Sequence, residues 1–467
     1  MMKKILIFAL VLSLLVPAAA FAATEFTLGG YIKLDGFWDS TQNGAYMNGP
    51  APRWNDPSGH HGNFRMTAMG SRFNFTIKGP DVLGAKLTGF LEMDFETTSN
   101  DTLSASNPYA PRLRHAMFRL NWPGDTELLF GQYWSMFSDY YAEAIEDGAF
   151  QAMGTPTARL PQIRFTQGFL DGGGGHWSVA GMVASANPIG GAATDPYNAS
   201  TNAGEDAETP QLQGQVKYQA DLWGKAAFYG HPMPFTASVT AGWERAVLRS
   251  STDAGLANLE GGATATGFYA NTYVNPFLLM GSLFIPIIPT HTDNLAGTMH
   301  MIVQPWLGAD VNAFGFTGDS TNVFKYSNNV LGDNRLRFDA EGLERWGILG
   351  ELQYYFTNQW YLNAAYGFSK VVNFNDGWQD YYTNSATAGI GSQVTAQEEV
   401  DATLWWRPIA ALKFGVQYSY VHSQYAADAT GAGIFPVPGS AQGAFTNKGD
   451  EHRVEFAGYF YFYPKSR

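Results

Sequence analysis

EHRVEFAGYFYFY, residues 451–463, sorts cleanly into two faces when read as a strand. Val454, Phe456, Gly458, Phe460 and Phe462 fall on one side; Arg453, Glu455, Ala457, Tyr459 and Tyr461 fall on the other. Successive strand side chains point in opposite directions, so this stretch has one apolar, aromatic face and one charged face. That is the pattern of a wall with lipid on one side and water on the other. A strand of a soluble sandwich can alternate in the same way. Recurrence along the chain and an export signal favour the membrane reading.

The alternation begins at Phe26–Asp39, where Phe26, Leu28, Ile32, Leu34 and Trp38 oppose Tyr31, Lys33, Asp35 and Asp39. In 72–78, Phe73, Phe75 and Ile77 alternate with Arg72, Asn74, Thr76 and Lys78. In 85–96, Leu87, Leu91, Met93 and Phe95 oppose Lys86, Glu92, Asp94 and Glu96, a charge load unsuited to a dry core. Further strands are expected near 112–122, 126–134, 161–169, 176–185, 210–220, 235–246, 277–286, 297–307, 346–356, 360–371, 394–407, 412–422 and 450–463. The fold expected is all-β, a transmembrane antiparallel β-barrel of about sixteen strands in one domain, 23–467. Short connections (Pro123-Gly124-Asp125, Asp171–Gly175, Thr357-Asn358-Gln359, Pro408–Ala411) alternate with long ones (40–70, 135–160, 186–209, 308–345, 372–393, 423–449). Pro286, Pro289 and Pro305 interrupt the pattern over 235–310.

Residues 1–22 read as a cleaved signal peptide, with Lys3 and Lys4, an apolar run Ile5–Val16 and a small-residue site Ala20-Phe21-Ala22. The alternative is a retained anchor, but the run is shorter than the roughly twenty apolar residues of a spanning helix. Mean hydropathy is -0.17, as expected when only alternate residues meet lipid. The absence of cysteine excludes thiol catalysis, c-type haem attachment and cysteine-ligated metal centres. A net charge of -13 argues against nucleic-acid binding, yet leaves an anion path open, because local placement outweighs the total.

A sixteen-stranded barrel encloses an aqueous channel, and a selective one needs a constriction. The segment 135–160, after the fifth strand, is the candidate inward-folded third loop. It carries Asp139, Glu143, Glu146 and Asp147 with Tyr140, Tyr141 and Phe150, and DYYAEAIED (139–147) is expected to form a short helical turn. The facing cations are Arg112, Arg114, Arg119, Arg159 and Arg164, together with His115; Lys33, Arg72 and Lys78 are further lumen candidates. Alternation with Ala116, Phe118 and Leu120 turns His115, Met117 and Arg119 inward; Arg112 and Arg114 have the opposite parity and need a bulge to follow them. Arg164 alternates with Ile163 and Phe165. An arginine wall opposite an acidic loop makes a transverse field, and the guanidinium fork suits carboxylates. The competing reading is that these arginines pair with carboxylates to hold the wall, and that the acidic loop is solvated outside.

Nothing else competes strongly. His60-His61 sits in a polar loop, DGGGG (171–175) is a turn between strands, and the carboxylates near 205–208 and 338–344 lack a spaced cation loop. No HExxH, GxSxG or Walker sequence occurs, so no cofactor, metal or catalytic residue is expected. The function expected is passive diffusion of small hydrophilic solutes. The rivals are a non-selective envelope scaffold, an outer-membrane enzyme and a sheath for an electron-transfer cytochrome.

LGGYIKLDGFWD (28–39), SRFNF (71–75), RLRHAMF (112–118), LLFGQYWSMF (128–137) and RLPQIRFTQ (159–167) together resemble the DcaP-like outer-membrane porins, most clearly over 26–170, with FIPIIP (284–289) beyond. The resemblance implies a trimeric, sixteen-stranded porin of a Gram-negative-type outer membrane that favours small organic anions, dicarboxylates included. It implies that Arg112, Arg114, His115, Arg159 and Arg164 line the pore wall and that 135–158 is the constriction loop. Two departures stand out. The helical extension common before the barrel is expected to be missing, and the chain runs past its terminal aromatic residues into Pro464-Lys465-Ser466-Arg467.

Overall fold

The computed structural model describes residues 24–41, 49, 51, 61–96, 110–146, 150, 153–170, 173–186, 207–249, 271–317, 324–326, 329–330, 336–337, 340–373, 394–425 and 448–462. The expected signal peptide, His60, Asp147, the carboxylates at 205–206 and 338–339, and the Pro464–Arg467 tail lie outside the described residues.

Sixteen staves close into one antiparallel barrel. They are β1 Glu25–Asp39, β2 in two segments (Asn63–Thr67 and Arg72–Lys78), β3 Lys86–Asp94, β4 Arg112–Trp122, β5 Thr126–Trp134, β6 Arg159–Leu170, β7 His176–Ala184 and β8 Gln211–Ala220. The second half is β9 Phe235–Trp243, β10 Phe277–Ile288, β11 Met299–Ala309, β12 Glu344–Tyr355, β13 Trp360–Val371, β14 Val394–Ile409, β15 Leu412–Tyr425 and β16 Lys448–Tyr461. Every stave pairs with its sequence neighbours, and β1 pairs with β16 from Tyr31↔Tyr461 to Asp39↔Arg453, which closes the ring. The two segments of β2 pair with the upper and lower halves of β1. They are separated at Ala68–Ser71, where Ser71 Oγ accepts from Lys33 N at 3.0 Å.

Parity sorts the side chains as the sequence pattern requires. Phe26, Leu28, Ile32, Leu34, Trp38, Val454, Phe456 and Phe460 are exposed on the outer surface, while Lys33, Asp35, Asp39, Arg453, Glu455 and Ala457 are buried inside. The proline-rich region also forms continuous staves. Pro286 sits at the edge of a register shift in the β10–β11 ladder, and Pro305 lies opposite Ile348 in β11–β12. Gly131, at φ 118, is needed on β5, because a Cβ there would lie 2.2 Å from the Ala116 carbonyl oxygen.

The lumen is not an open tube. The described residues of 135–158 run inside, and a 3₁₀ turn at Val311–Phe314 meets them through Phe314, whose ring lies 5.5 Å from that of Phe137. From the short-turn end, the β8–β9 connection sends in a small hairpin, Ala226–Phe228 paired with His231–Met233. Sequence reasoning did not find that hairpin.

The lipid-facing belt gives a direct test. Val239, at the centre of β9, is 58% exposed on the outer face. Val239→Arg is expected to destabilise the barrel by about 2–4 kcal/mol, the cost of a cation near a bilayer midplane. Guanidinium unfolding in lipid bilayers reads this out, and an unchanged midpoint would place β9 outside the membrane.

Candidate functional site: the lumen beside the inward loop

Segment 135–158 is pinned to the β8–β15 wall by its own carboxylates. Asp139 pairs with Lys217 on β8 and accepts from Gln215 Nε2 at 3.0 Å and from Ser238 Oγ at 2.5 Å. Glu143 pairs with Lys413 on β15 and accepts from Tyr361 Oη at 2.7 Å and Gln353 Nε2 at 2.8 Å. Glu146 accepts from Gln417 Nε2 at 2.8 Å. Backbone anchors complete the seam. Lys33 Nζ donates to the Ile145 carbonyl at 2.6 Å, Gln417 Oε1 accepts from Ile145 N at 2.8 Å, and Trp306 Nε1 donates to the Gly154 carbonyl at 2.7 Å. Apolar packing adds to it. Ala142, Phe150 and Met153 meet Leu349, Ala365 and Val421, and Ile145 meets Tyr361, Trp405 and Tyr459.

The helical turn expected at 139–147 is absent from 139–146, which run without helix. Asp139, Glu143 and Glu146 reach partners on β8, β9, β12, β13 and β15, and an extended path spans that width where a helical turn does not. The hairpin supports the loop from the other end. Phe228 packs against Tyr140, Phe284 and His300, Tyr229 Oη donates to the Tyr141 carbonyl at 3.2 Å, and His300 Nδ1 lies 2.5 Å from the Ala227 carbonyl oxygen.

A cavity of about 480 Å³ remains on the opposite side. Its cations are Lys33, Arg72, Arg112, Arg114, Arg159 and Lys413; its carboxylates are Glu96, Glu143 and Glu146; Tyr31, Trp134, Tyr141, Tyr229, Tyr459 and Tyr461 supply rings. The strand positions of Arg112 and Arg114 follow from a bulge. The β3–β4 register shifts between Glu92 and Met93, so Arg114 and His115 are both buried in succession. Arg112 Nε and Nη2 bind Asp94 in a fork at 2.8 and 2.7 Å, with Glu96 2.7 Å from Nη2. Arg114 meets Glu92 at 2.9 Å and Asp94 at 2.5 Å. The Arg159 guanidinium stands 4.9 Å from the Trp134 ring centre.

The other sequence candidates lie elsewhere. His115 is packed among Phe90, Tyr133 and Trp134. Arg119 and Arg164 approach Glu127 at 3.4 and 3.9 Å, nearer the short-turn end, and neither lines the cavity. Lys78 lies at the end of β2, 52% exposed and paired with Glu25 at 3.0 Å, so it is a rim residue. Asp139 is turned into the wall rather than the cavity. Lys217 and Lys413, which hold the loop, were not singled out from the sequence, although their inward parity on β8 and β15 is readable.

No family model matches the chain, and no curated relative matches its sequence. Solved structures do match in fold. The outer membrane channel DcaP of Acinetobacter baumannii is 17% identical, with a TM-score of 0.61 over 94% of this chain and 98% of that one. An anion-selective porin from Comamonas acidovorans is 10% identical, with a TM-score of 0.51 over 94% of this chain and 100% of that one. The chain has the porin fold.

The Glu143–Lys413 pair sets how the loop responds to change. Burial pushes the Glu143 carboxyl up, but the Lys413 charge and the Lys413, Tyr361 and Gln353 hydrogen bonds outweigh it and hold the group below its ordinary value. A lowered carboxylate contributes stability that is complete above its free-chain pKa of about 4.3 and is lost as pH falls through the folded-state value. Loop docking is therefore expected to be unchanged between pH 7 and pH 5 and to weaken only below the ordinary carboxylate range, as read by protease cleavage within 135–158. Lys413→Met strands the buried carboxylate and is expected to cost about 3–5 kcal/mol of docking, with most of it restored in Lys413→Met/Glu143→Leu. Equal protease resistance in wild type and Lys413→Met would show that the pair does not hold the loop.

Proposed function

We propose that this protein is an outer-membrane porin, a homotrimer, through which small hydrophilic solutes diffuse passively, with organic anions such as dicarboxylates favoured. The observation that carries the reading is the orientation of charge around the cavity. Among the described residues that line it, six are cationic and three are carboxylates, and Glu143 is neutralised by Lys413. Lys33, Arg112 and Arg114 line the cavity, whereas their partners Asp35 and Asp94 do not. Cations in front and carboxylates behind form dipoles whose positive ends face the solute. A low-dielectric wall lets such dipoles act at longer range than in bulk water. The exposed apolar belt, the short turns at one end and the porin fold support the outer-membrane setting. The likeness to a porin named as anion-selective supports the sign of the preference. The aromatic rings between the cations give a solute weak contacts that favour both entry and release.

Reversal potential under a salt gradient in planar bilayers tests this. Wild type is expected to prefer anions. Arg159→Gln is expected to move the potential toward cation preference, and Arg119→Gln, which lies outside the cavity, is expected to leave it unchanged. Conducting channels with cation preference, unmoved by Arg159→Gln, would remove the anion reading and keep the porin. A correctly folded barrel with no conductance would favour the scaffold reading.

A further inference from the structure

The loop tip meets a second, deeper cluster. Glu146 from the loop and Glu399 and Asp401 from β14 bring carboxylate oxygens within 4.8 Å of one another, and all three residues are buried. One neutral donor serves two of them. Gln417 Nε2 donates to Glu146 Oε2 at 2.8 Å and to Asp401 Oδ2 at 3.2 Å. The second oxygens, Glu146 Oε1 and Asp401 Oδ1, have no hydrogen-bond donor among the described residues.

A separate strand points the same way. Glu455 on β16, 1% exposed, faces Glu146 and Asp401, and its Oε2 also lacks a donor among the described residues. Its Oε1 lies 3.3 Å from Arg453 Nη1, and Arg453 is shared with Asp39 at 2.5 Å. Glu146, Asp401 and Glu455 thus each keep a buried carboxylate oxygen without a donor among the described residues, and the Arg453 guanidinium that meets Glu455 is shared with Asp39. A buried carboxylate oxygen left without a donor is costly, and a bound cation would offset that cost.

We propose that Glu146, Glu399 and Asp401 bind a hard divalent cation, calcium, and that this ion fastens the loop tip to β14. The donors are all oxygens, which selects calcium or magnesium over softer metals. Two ligand atoms at about 2.4 Å from a calcium ion lie at most about 4.8 Å apart, the three carboxylates offer oxygens within that limit, and the Glu455 carboxylate stands by as a further oxygen donor. Glu146 also lines the cavity, so the ion fixes one edge of the passage and adds positive charge beside it. Calcium binding goes beyond the porin reading; only its effect on conductance rests on that reading.

The test uses the full-length folded protein in detergent at pH 7, stripped with chelator and titrated with calcium chloride by calorimetry, with thermal unfolding run in parallel. One saturable site per chain is expected, with a dissociation constant of about 0.1–1 mM as for extracellular calcium modules, and a raised Tm. Glu146→Gln, a loop substitution that leaves every stave intact, is expected to weaken binding about tenfold and to remove the Tm shift; Asp401→Asn is expected to abolish both. A wild type that neither binds calcium nor gains stability would overturn the site and assign the cluster to shared protons. Binding equal in wild type and Glu146→Gln would overturn it in favour of surface carboxylates. A channel without conductance that still binds calcium would sink the porin reading and leave this one standing.

Discussion

A strand wall in lipid has no water to satisfy its backbone, so its ends must find each other. The β1–β16 ladder does this over nine residue pairs, and from that closure the rest follows. With both edges of every stave occupied, only side-chain parity remains to separate lipid from lumen. Most strand charge away from the rims is thereby driven into one enclosed space. Arg453, Glu455, Asp39, Asp94 and Arg114 are at most 1% exposed, although each is charged. Charges that crowded are stable only when they satisfy one another.

Segment 135–158 is the main instrument of that satisfaction. It carries carboxylates to Lys217 and Lys413 and takes amide and hydroxyl donors from Gln215, Gln353, Gln417, Ser238 and Tyr361, side chains of five different staves. The lumen becomes two-sided as a result. The half along β8–β15 is filled by the loop, the Val311–Phe314 turn and the Ala226–Met233 hairpin. The half along β1–β6 keeps the space and the arginines. The same ion pairs therefore serve cohesion and channel shape.

The wall was legible in the sequence because parity is local. Each of the sixteen expected strands corresponds to a stave, and the parity conflict at Arg112 and Arg114 marked the bulge that the Glu92/Met93 register shift contains. The interior was legible only in part, because its partners are far apart in sequence. Lys413 and Glu143 are 270 positions apart, and nothing in either neighbourhood names the other. Arg119 and Arg164 point inward as their alternation requires, but parity gives no height along the barrel, and both sit at the level of Glu127 instead of the cavity. The hairpin after Asp221 was hidden because its strands are three residues long, too short to alternate visibly. The acids at 139, 143 and 146 have the spacing of one helical face, but 139–146 run without helix because their partners are spread across five staves of the wall.

Net charge and local charge part company for the same reason. The chain carries -13 overall, which taken alone favours cations in any channel it forms. Yet Asp139 is turned to the wall that holds it, Glu143 is paired with Lys413, and Asp35 and Asp94 do not line the cavity as the basic residues they pair with do. A solute in the cavity of the proposed channel meets the cationic ends of these pairs first, and the carboxylate ends through a layer of protein. Coulomb energies fall with distance, so the nearer charge dominates over a few ångströms even when each pair is neutral as a whole. An acidic chain can in this way present a basic passage, and the sign of the proposed selectivity turns on which partner of each buried pair stands in front.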